Sequence, residues 1–181
     1  MSLVKDKRLT IDYYKILPEG APYQLIEGEL VMTPAPNPRH QLISANIFEK
    51  IREFTKQLGM TLYSPIDVYL GRENAYQPDI IFISKERQDI IQEDGIYGAP
   101  DLVIEILSPS TARYDLREKF RVYERTGVKE YWIVDPDMKS VELYTNKDGQ
   151  FSLIFKAEEG EIESVLLKGL KLTFQEIFSE I

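Results

Sequence analysis

Apolar positions along the chain fall into two periods. After Asn37-Pro38, the residues Ile43, Ile47, Ile51, Phe54 and Leu58 recur three or four apart, which predicts an amphipathic helix from 38 to about 58. Asn37 suits its N-cap, Pro38 its first turn and Gly59 its stop. Short, almost unbroken apolar runs predict strands at about 61–70, 78–84, 101–107 and 130–135. Residues 112–126 read as a second helix ending at Gly127, with Leu116, Phe120 and Tyr123 as its apolar stripe and Lys119 on the border beside Asp115. Residues 10–16 predict a short helix, and 23–32 a strand pair or bent strand around Gly28. Residues 141–145 and 151–156, joined across Asn146-Lys147-Asp148-Gly149, predict a hairpin. A short strand near 165–167 follows, and Thr173-Phe174-Gln175-Glu176 is a capping box that opens a last helix. The order predicts an α/β (α+β) domain, a mixed central sheet flanked by helices with a C-terminal β-hairpin. At 181 residues, the whole chain, 1–181, suits a single domain with a sizeable core.

Two acids interrupt this pattern. Glu105 lies inside the run Leu102-Val103-Ile104-Glu105-Ile106-Leu107, and Asp79 opens Ile80-Ile81-Phe82-Ile83. A carboxylate in a doubly covered strand must be paired, protonated or bound to a cation, because an isolated buried charge is too costly. Asp79 and Glu105, 26 positions apart, therefore point to a metal or acid–base site, against the alternative of structural acids paired with a basic residue. Asp101 shares a strand face with Glu105 but stands about 13 Å away at strand rise, so it reads as a cap on the strand entrance. Lys119 either snorkels to water or meets the two acids. Two carboxylates and a backbone carbonyl are hard oxygen ligands that suit Mg²⁺ or Mn²⁺, with a phosphodiester as the natural target.

Composition narrows the classes. The absence of cysteine excludes disulfides, thiolate catalysis and Cys-based zinc sites. One histidine, His40, excludes a two-His zincin helix. The start lacks the apolar core of a signal peptide, and no run approaches a membrane span, so a cytoplasmic location and no membrane partner are expected. A net charge of −8 argues against loose, non-specific nucleic-acid binding.

Taken together, Pro78-Asp79, Asp101-Leu-Val-Ile-Glu105-Ile-Leu-Ser108-Pro109-Ser110-Thr111, Asp115-x-x-x-Lys119-x-x-x-Tyr123 and Gly127-Val-Lys-Glu-Tyr131-Trp132-Ile-Val-Asp135-Pro136 resemble the Uma-two family of restriction-endonuclease-like proteins. Leu25-Ile26-Glu27-Gly28-Glu29-Leu30 and Pro38-Arg39-His40 extend the resemblance to roughly residues 10–180. It implies the PD-(D/E)XK nuclease fold, with Asp79 and Glu105 as metal ligands and the carbonyl of Ile106 as a third. That superfamily's lysine stands two places after the second acid, which here is Leu107; the resemblance implies that Lys119 takes its role. By the same resemblance Glu29 is an auxiliary carboxylate, whereas Gln24 stands where the family often has Glu and cannot serve as an anionic ligand. His40 is expected to touch a phosphate or hold the site loop. Tyr131 and Trp132 are read as core, and Ser108 and Thr111 as caps of the following helix. The expected function is a Mg²⁺- or Mn²⁺-dependent endonuclease acting on DNA. The alternatives are a non-catalytic DNA- or protein-interaction module on the nuclease fold and a hydrolase for a smaller phosphoester. Cutting both strands of a duplex usually needs two sites, so a homodimer paired through the hairpin edge is expected.

Overall fold

The computed structural model describes residues 8–18 and 20–179. Its elements run α1 (Ile11–Tyr14), β1 (Tyr23–Ile26), β2 (Glu29–Met32), α2 (Pro38–Thr55), β3 (Gly59–Tyr63), β4 (Val68–Tyr69), β5 (Ala75–Tyr76), β6 (Ile80–Ser84), a 3₁₀ segment (Lys85–Ile90), β7 (Ile91–Gln92), β8 (Gly95–Tyr97) and β9 (Leu102–Ile106). There follow α3 (Ala112–Tyr114), a π-helical turn (Asp115–Lys119), α4 (Phe120–Thr126), β10 (Glu130–Asp135), β11 (Ser140–Lys147), β12 (Gln150–Ala157), β13 (Glu161–Glu163), β14 (Lys171–Thr173) and α5 (Phe174–Phe178).

The main sheet has the order β12-β11-β10-β9-β6-β3. Its central pair, β9 and β10, is parallel and its other neighbours are antiparallel, which makes it mixed. On one face Ile80, Phe82, Leu102, Ile104, Ile106 and Trp132 pack against Ile43, Ile47 and Ile51 of α2 and Ile177 of α5. On the other, Ile81, Ile83, Val103, Tyr131 and Ile133 meet Val122 and Tyr123 of α4 and Val68, Tyr76 and Ile96 of a second sheet. That sheet has the order β2-β1-β5-β4-β8-β7 and is built of short strands. Cover on both faces explains why β6 and β9 read as continuous apolar runs rather than alternating ones. Tyr131 and Trp132 are fully buried, as expected of core residues. No helix among the described residues is long and apolar enough to cross a membrane.

Local signals hold at several ends. The Asn37 side chain accepts from the His40 N–H at 2.9 Å, Gly127 takes the left-handed conformation past α4 at φ 91°, and Glu27 and Gly28, both at positive φ, turn β1 into β2. The Thr173–Glu176 capping box is formed in both directions.

Four expectations need correction. The single strand at 61–70 is two, β3 and β4, in different sheets, because the chain turns at Ser64-Pro65 and proline cannot continue the ladder. Residues 165–167 are not a strand; β13 and β14 pair around them. Phe54 lies exposed because the buried side of α2 runs through Ile43, Ile47, Ile51 and Thr55, and Leu58 because α2 ends at Thr55, whose hydroxyl bonds the Ile51 carbonyl at 2.7 Å and the Thr61 hydroxyl at 2.7 Å. Leu116 is 47% exposed, and Asp115 and Lys119 take the inward positions. The wider π turn spaces Asp115, Lys119 and Tyr123 along the buried side.

Candidate active site

β6 and β9 bring the two acids together through register. Ile80 lies opposite Ile104, so one further step sets Asp79 opposite Glu105. Directly opposed residues of an antiparallel pair project to the same face. Asp79 Oδ2 accepts the Ile106 N–H at 2.7 Å, which fixes the end of β6 to the end of β9. His40, buried in the first turn of α2, sets Nε2 3.0 Å from the Ile106 carbonyl oxygen and 3.4 Å from Asp79 Oδ2. Its Nδ1 is buried without a partner among the described residues. An unpaired N–H there would be costly, so the proton belongs on Nε2, facing Ile106. Burial lowers the His40 pKa, but the hydrogen bond and charge of Asp79 outweigh it and the net shift is upward.

Glu105 is only 3% exposed. Its Oε1 accepts from Lys119 Nζ at 3.0 Å and from the Tyr123 hydroxyl at 2.7 Å. Lys119 Nζ also lies 2.8 Å from Asp115 Oδ1, so one ammonium serves two buried carboxylates. Their charges outweigh burial and hold Lys119 firmly protonated. Burial pushes the Glu105 carboxyl up to about 8; Asp115 and Asp79 add to the rise, while Lys119 and Tyr123 oppose it. The cluster thus carries more acid than base, and a divalent cation would restore the balance.

Asp79, Glu105, Ile106, His40 and Lys119 all line one cavity of about 530 Å³. Among the described residues, the side-chain hydrogen bonds to Glu105 fall on Oε1 and those to Asp79 on Oδ2, so the second oxygen of each acid carries none. No cluster of three His, Cys, Asp or Glu side chains forms a ready-made metal site among the described residues. The candidate donors that meet here are instead two carboxylates and a main-chain carbonyl. Their hard oxygens and excess negative charge fit Mg²⁺ or Mn²⁺.

The remaining candidates divide. Glu29 stands exposed at the start of β2 and does not line the cavity. Gln24, on the neighbouring strand, is buried, lines the cavity and accepts the Gln77 N–H at 3.0 Å through Oε1. Asp101 is a strand cap, as read: it accepts the Ser84 N–H at 2.8 Å and pairs with Arg87 at 3.2 Å and Lys129 at 2.6 Å. Ser108, Ser110 and Thr111 bond one another at the rim, and neither Ser108 nor Thr111 is a side-chain cap of α3. Asp115 and Tyr123, the partners of Lys119 and Glu105, carry a signal in the spacing Asp115-x-x-x-Lys119-x-x-x-Tyr123, which does not by itself name them as partners. Gln77 and Tyr63, which also line the cavity, have no such signal.

Comparison with known proteins bears on the family and the fold. A family model, Uma2, described as "Putative restriction endonuclease", matches residues 11–175. The uncharacterized protein sll1609 of Synechocystis sp. is 26% identical over 153 residues, 80% of this chain and 85% of its own length. A second uncharacterized Synechocystis protein, slr1290, is 35% identical over 77 residues, 41% of this chain and 39% of its own length. The crystal structure of a "putative nuclease belonging to DUF820" from Anabaena variabilis superposes with a TM-score of 0.79 at 23% identity, covering 94% of this chain and 98% of that one. The fold is therefore the restriction-endonuclease-like α+β fold that the family resemblance implied.

Proposed function

This chain belongs to the Uma2 family, and on that premise we propose that it is a Mg²⁺- or Mn²⁺-dependent endonuclease that hydrolyses DNA phosphodiester bonds, working as one restriction-endonuclease-like domain. The observation that carries the reading is the convergence of Asp79 and Glu105 on one cavity through the β6–β9 register, with Lys119 seated on Glu105. Asp79, Glu105 and the Ile106 carbonyl would hold the cation. Such an ion, when bound, polarises a phosphoryl oxygen and lowers the pKa of its water. Lys119 fixes the Glu105 carboxylate through Oε1, so that Oε2 is left for the cation, and its charge stabilises a phosphate that gains negative charge in the transition state. His40 is a positioning residue: its ring touches both Asp79 and Ile106 and holds the two strand ends together. Two copies joined along β12, the outer strand of the main sheet with Leu153 and Ile154 exposed, would present two such sites.

The test is cleavage of supercoiled plasmid and of its single-stranded form with Mg²⁺ or Mn²⁺. The native chain is expected to cut, and Asp79→Asn and Glu105→Gln, each folded by melting temperature, are expected to lose cutting at least about 100-fold, roughly the 3 kcal/mol of one strong transition-state contact. A native chain that cuts neither form, or variants that cut as well as it does, would defeat the reading in favour of a smaller phosphoester or a binding module.

A further inference from the structure

We propose that the substrate enters as an unpaired DNA strand and that Tyr63 stacks on one of its bases at the cavity mouth; this rests on the nuclease reading above. Three observations carry it. Glu105 is recessed and buried, the Asp79 side chain is only 16% exposed, and the cavity, at about 530 Å³, falls within the roughly 300–1,000 Å³ typical of pockets that enclose small ligands. Its walls include Pro34 and Pro36 of one loop and Pro109 of another, and proline restricts how far such loops can open. A single strand can bend a phosphate into such a pocket, whereas a stacked duplex keeps its backbone outside.

The basic groups that line the cavity are already engaged. They are Arg39, His40 and Lys119. Arg39 bonds the Pro136 carbonyl and pairs with Asp137, His40 faces Asp79 and Ile106, and Lys119 is shared by Glu105 and Asp115. Duplex affinity comes chiefly from lysines and arginines that neutralise phosphates, and here each basic group already faces an acid. Affinity must then come from another source.

Tyr63 supplies one. Of the exposed aromatic residues Tyr13, Phe54 and Tyr63, it is the one that lines the cavity, and it is 59% exposed. Its ring is held edge-on by Phe48 at a centroid distance of 4.6 Å, with the Arg52 guanidinium over Phe48 in turn. A fixed, solvent-facing ring beside a metal-type site is a stacking platform, and stacking accepts any base whose face is free. Gln41 and Ser44 of α2 line the same cavity and offer neutral donors and acceptors to the edges that an unpaired base displays.

The experiment compares steady-state cleavage of one labelled oligonucleotide, single-stranded and annealed to its complement, with Mn²⁺, for the native chain, Tyr63→Ala and Tyr63→Phe. The single strand is expected to be cut faster. Tyr63→Ala should raise KM on it by roughly 5- to 150-fold, the range that stacking on one base supplies, with kcat little changed and the melting temperature close to native. Tyr63→Phe keeps the ring and should behave as native. Duplex cut as fast as the single strand would overturn this inference and leave the nuclease reading intact. An unchanged KM in Tyr63→Ala, or an equal loss in Tyr63→Phe, would overturn the stacking role. No cutting of either strand form would overturn both.

Discussion

Replacing Lys119 with methionine removes the one ammonium placed between two buried carboxylates. Nζ lies 3.0 Å from Glu105 Oε1 and 2.8 Å from Asp115 Oδ1, and all three side chains are almost wholly buried. Methionine keeps a long, flexible side chain, so the loss is one of charge more than of packing. Breaking a buried pair by deleting one partner costs about 3–5 kcal/mol. Two acids share this cation, which pushes the figure up. The Tyr123 hydroxyl still donates to Glu105, and the Glu105 carboxyl already binds its proton tightly, which pulls it down. A loss of about 4 kcal/mol at pH 8 follows, a large part of the roughly 5–15 kcal/mol of a typical domain. At this chain length that is a fall of about 8–16 °C in Tm. As pH drops toward 5, protonation of Glu105 should shrink the deficit. The assay is urea unfolding of the native chain and Lys119→Met at both pH values, read as a shift in midpoint at constant slope. Unfolding free energies that agree within about 1 kcal/mol at both pH values would refute the assignment of this ammonium as the cluster's counter-charge. The result also bears on function, because any loss of cutting in Lys119→Met has to be referred to the folded fraction.

Three further outcomes are expected. The Glu105 carboxyl is raised from 4.5 to about 8, so the folded state binds its proton more tightly than the unfolded chain does. Its contribution to stability is fully present below about pH 4.5 and is lost as pH rises toward about 8, and Glu105→Gln should flatten that part of the urea midpoint–pH curve. Mn²⁺ at about a hundredfold excess over its Kd should stabilise the native chain by about 2.7 kcal/mol, seen as a rise in Tm; Asp79→Asn should lose the rise, and an equal rise in that variant would place the ion elsewhere. Glu130 is wholly buried, with Oε1 accepting from Trp132 Nε1 and the Ser164 hydroxyl at 2.7 Å each, and Oε2 from the N–H groups of Val165 and Leu166 at 2.8 and 2.7 Å. Either amide orientation in Glu130→Gln sets a donor against donors, so a loss of about 3 kcal/mol is expected, with cutting per folded molecule unchanged because Glu130 does not line the cavity.

The apolar pattern by itself determined the central strands, α2 with its Asn37 cap, the C-terminal hairpin and the closing capping box, because each depends on neighbours a few residues apart. It also marked Asp79 and Glu105, since a charge inside a doubly covered strand violates the surrounding rule and stands out without any structure. Lys119 was legible only as a residue on a helix border. The tertiary structure decided the rest. Asp79 meets Glu105 because β6 and β9 pair in one register out of several that their apolar runs would allow. Lys119 reaches the cluster because a π turn exposes Leu116 and draws Asp115 and Lys119 inward, a local change of pitch that a uniform helical period cannot foresee. Glu130 gains three of its four donors from a loop more than thirty positions away and the fourth from Trp132 on its own strand, so nothing in its neighbouring residues marks it as fully satisfied. Tyr63 and Gln77 face the cavity through contacts between distant segments, and nothing in their neighbouring residues distinguishes them. Sequence records the cost of burying each group, whereas only the assembled sheet and helices settle which partners offset that cost.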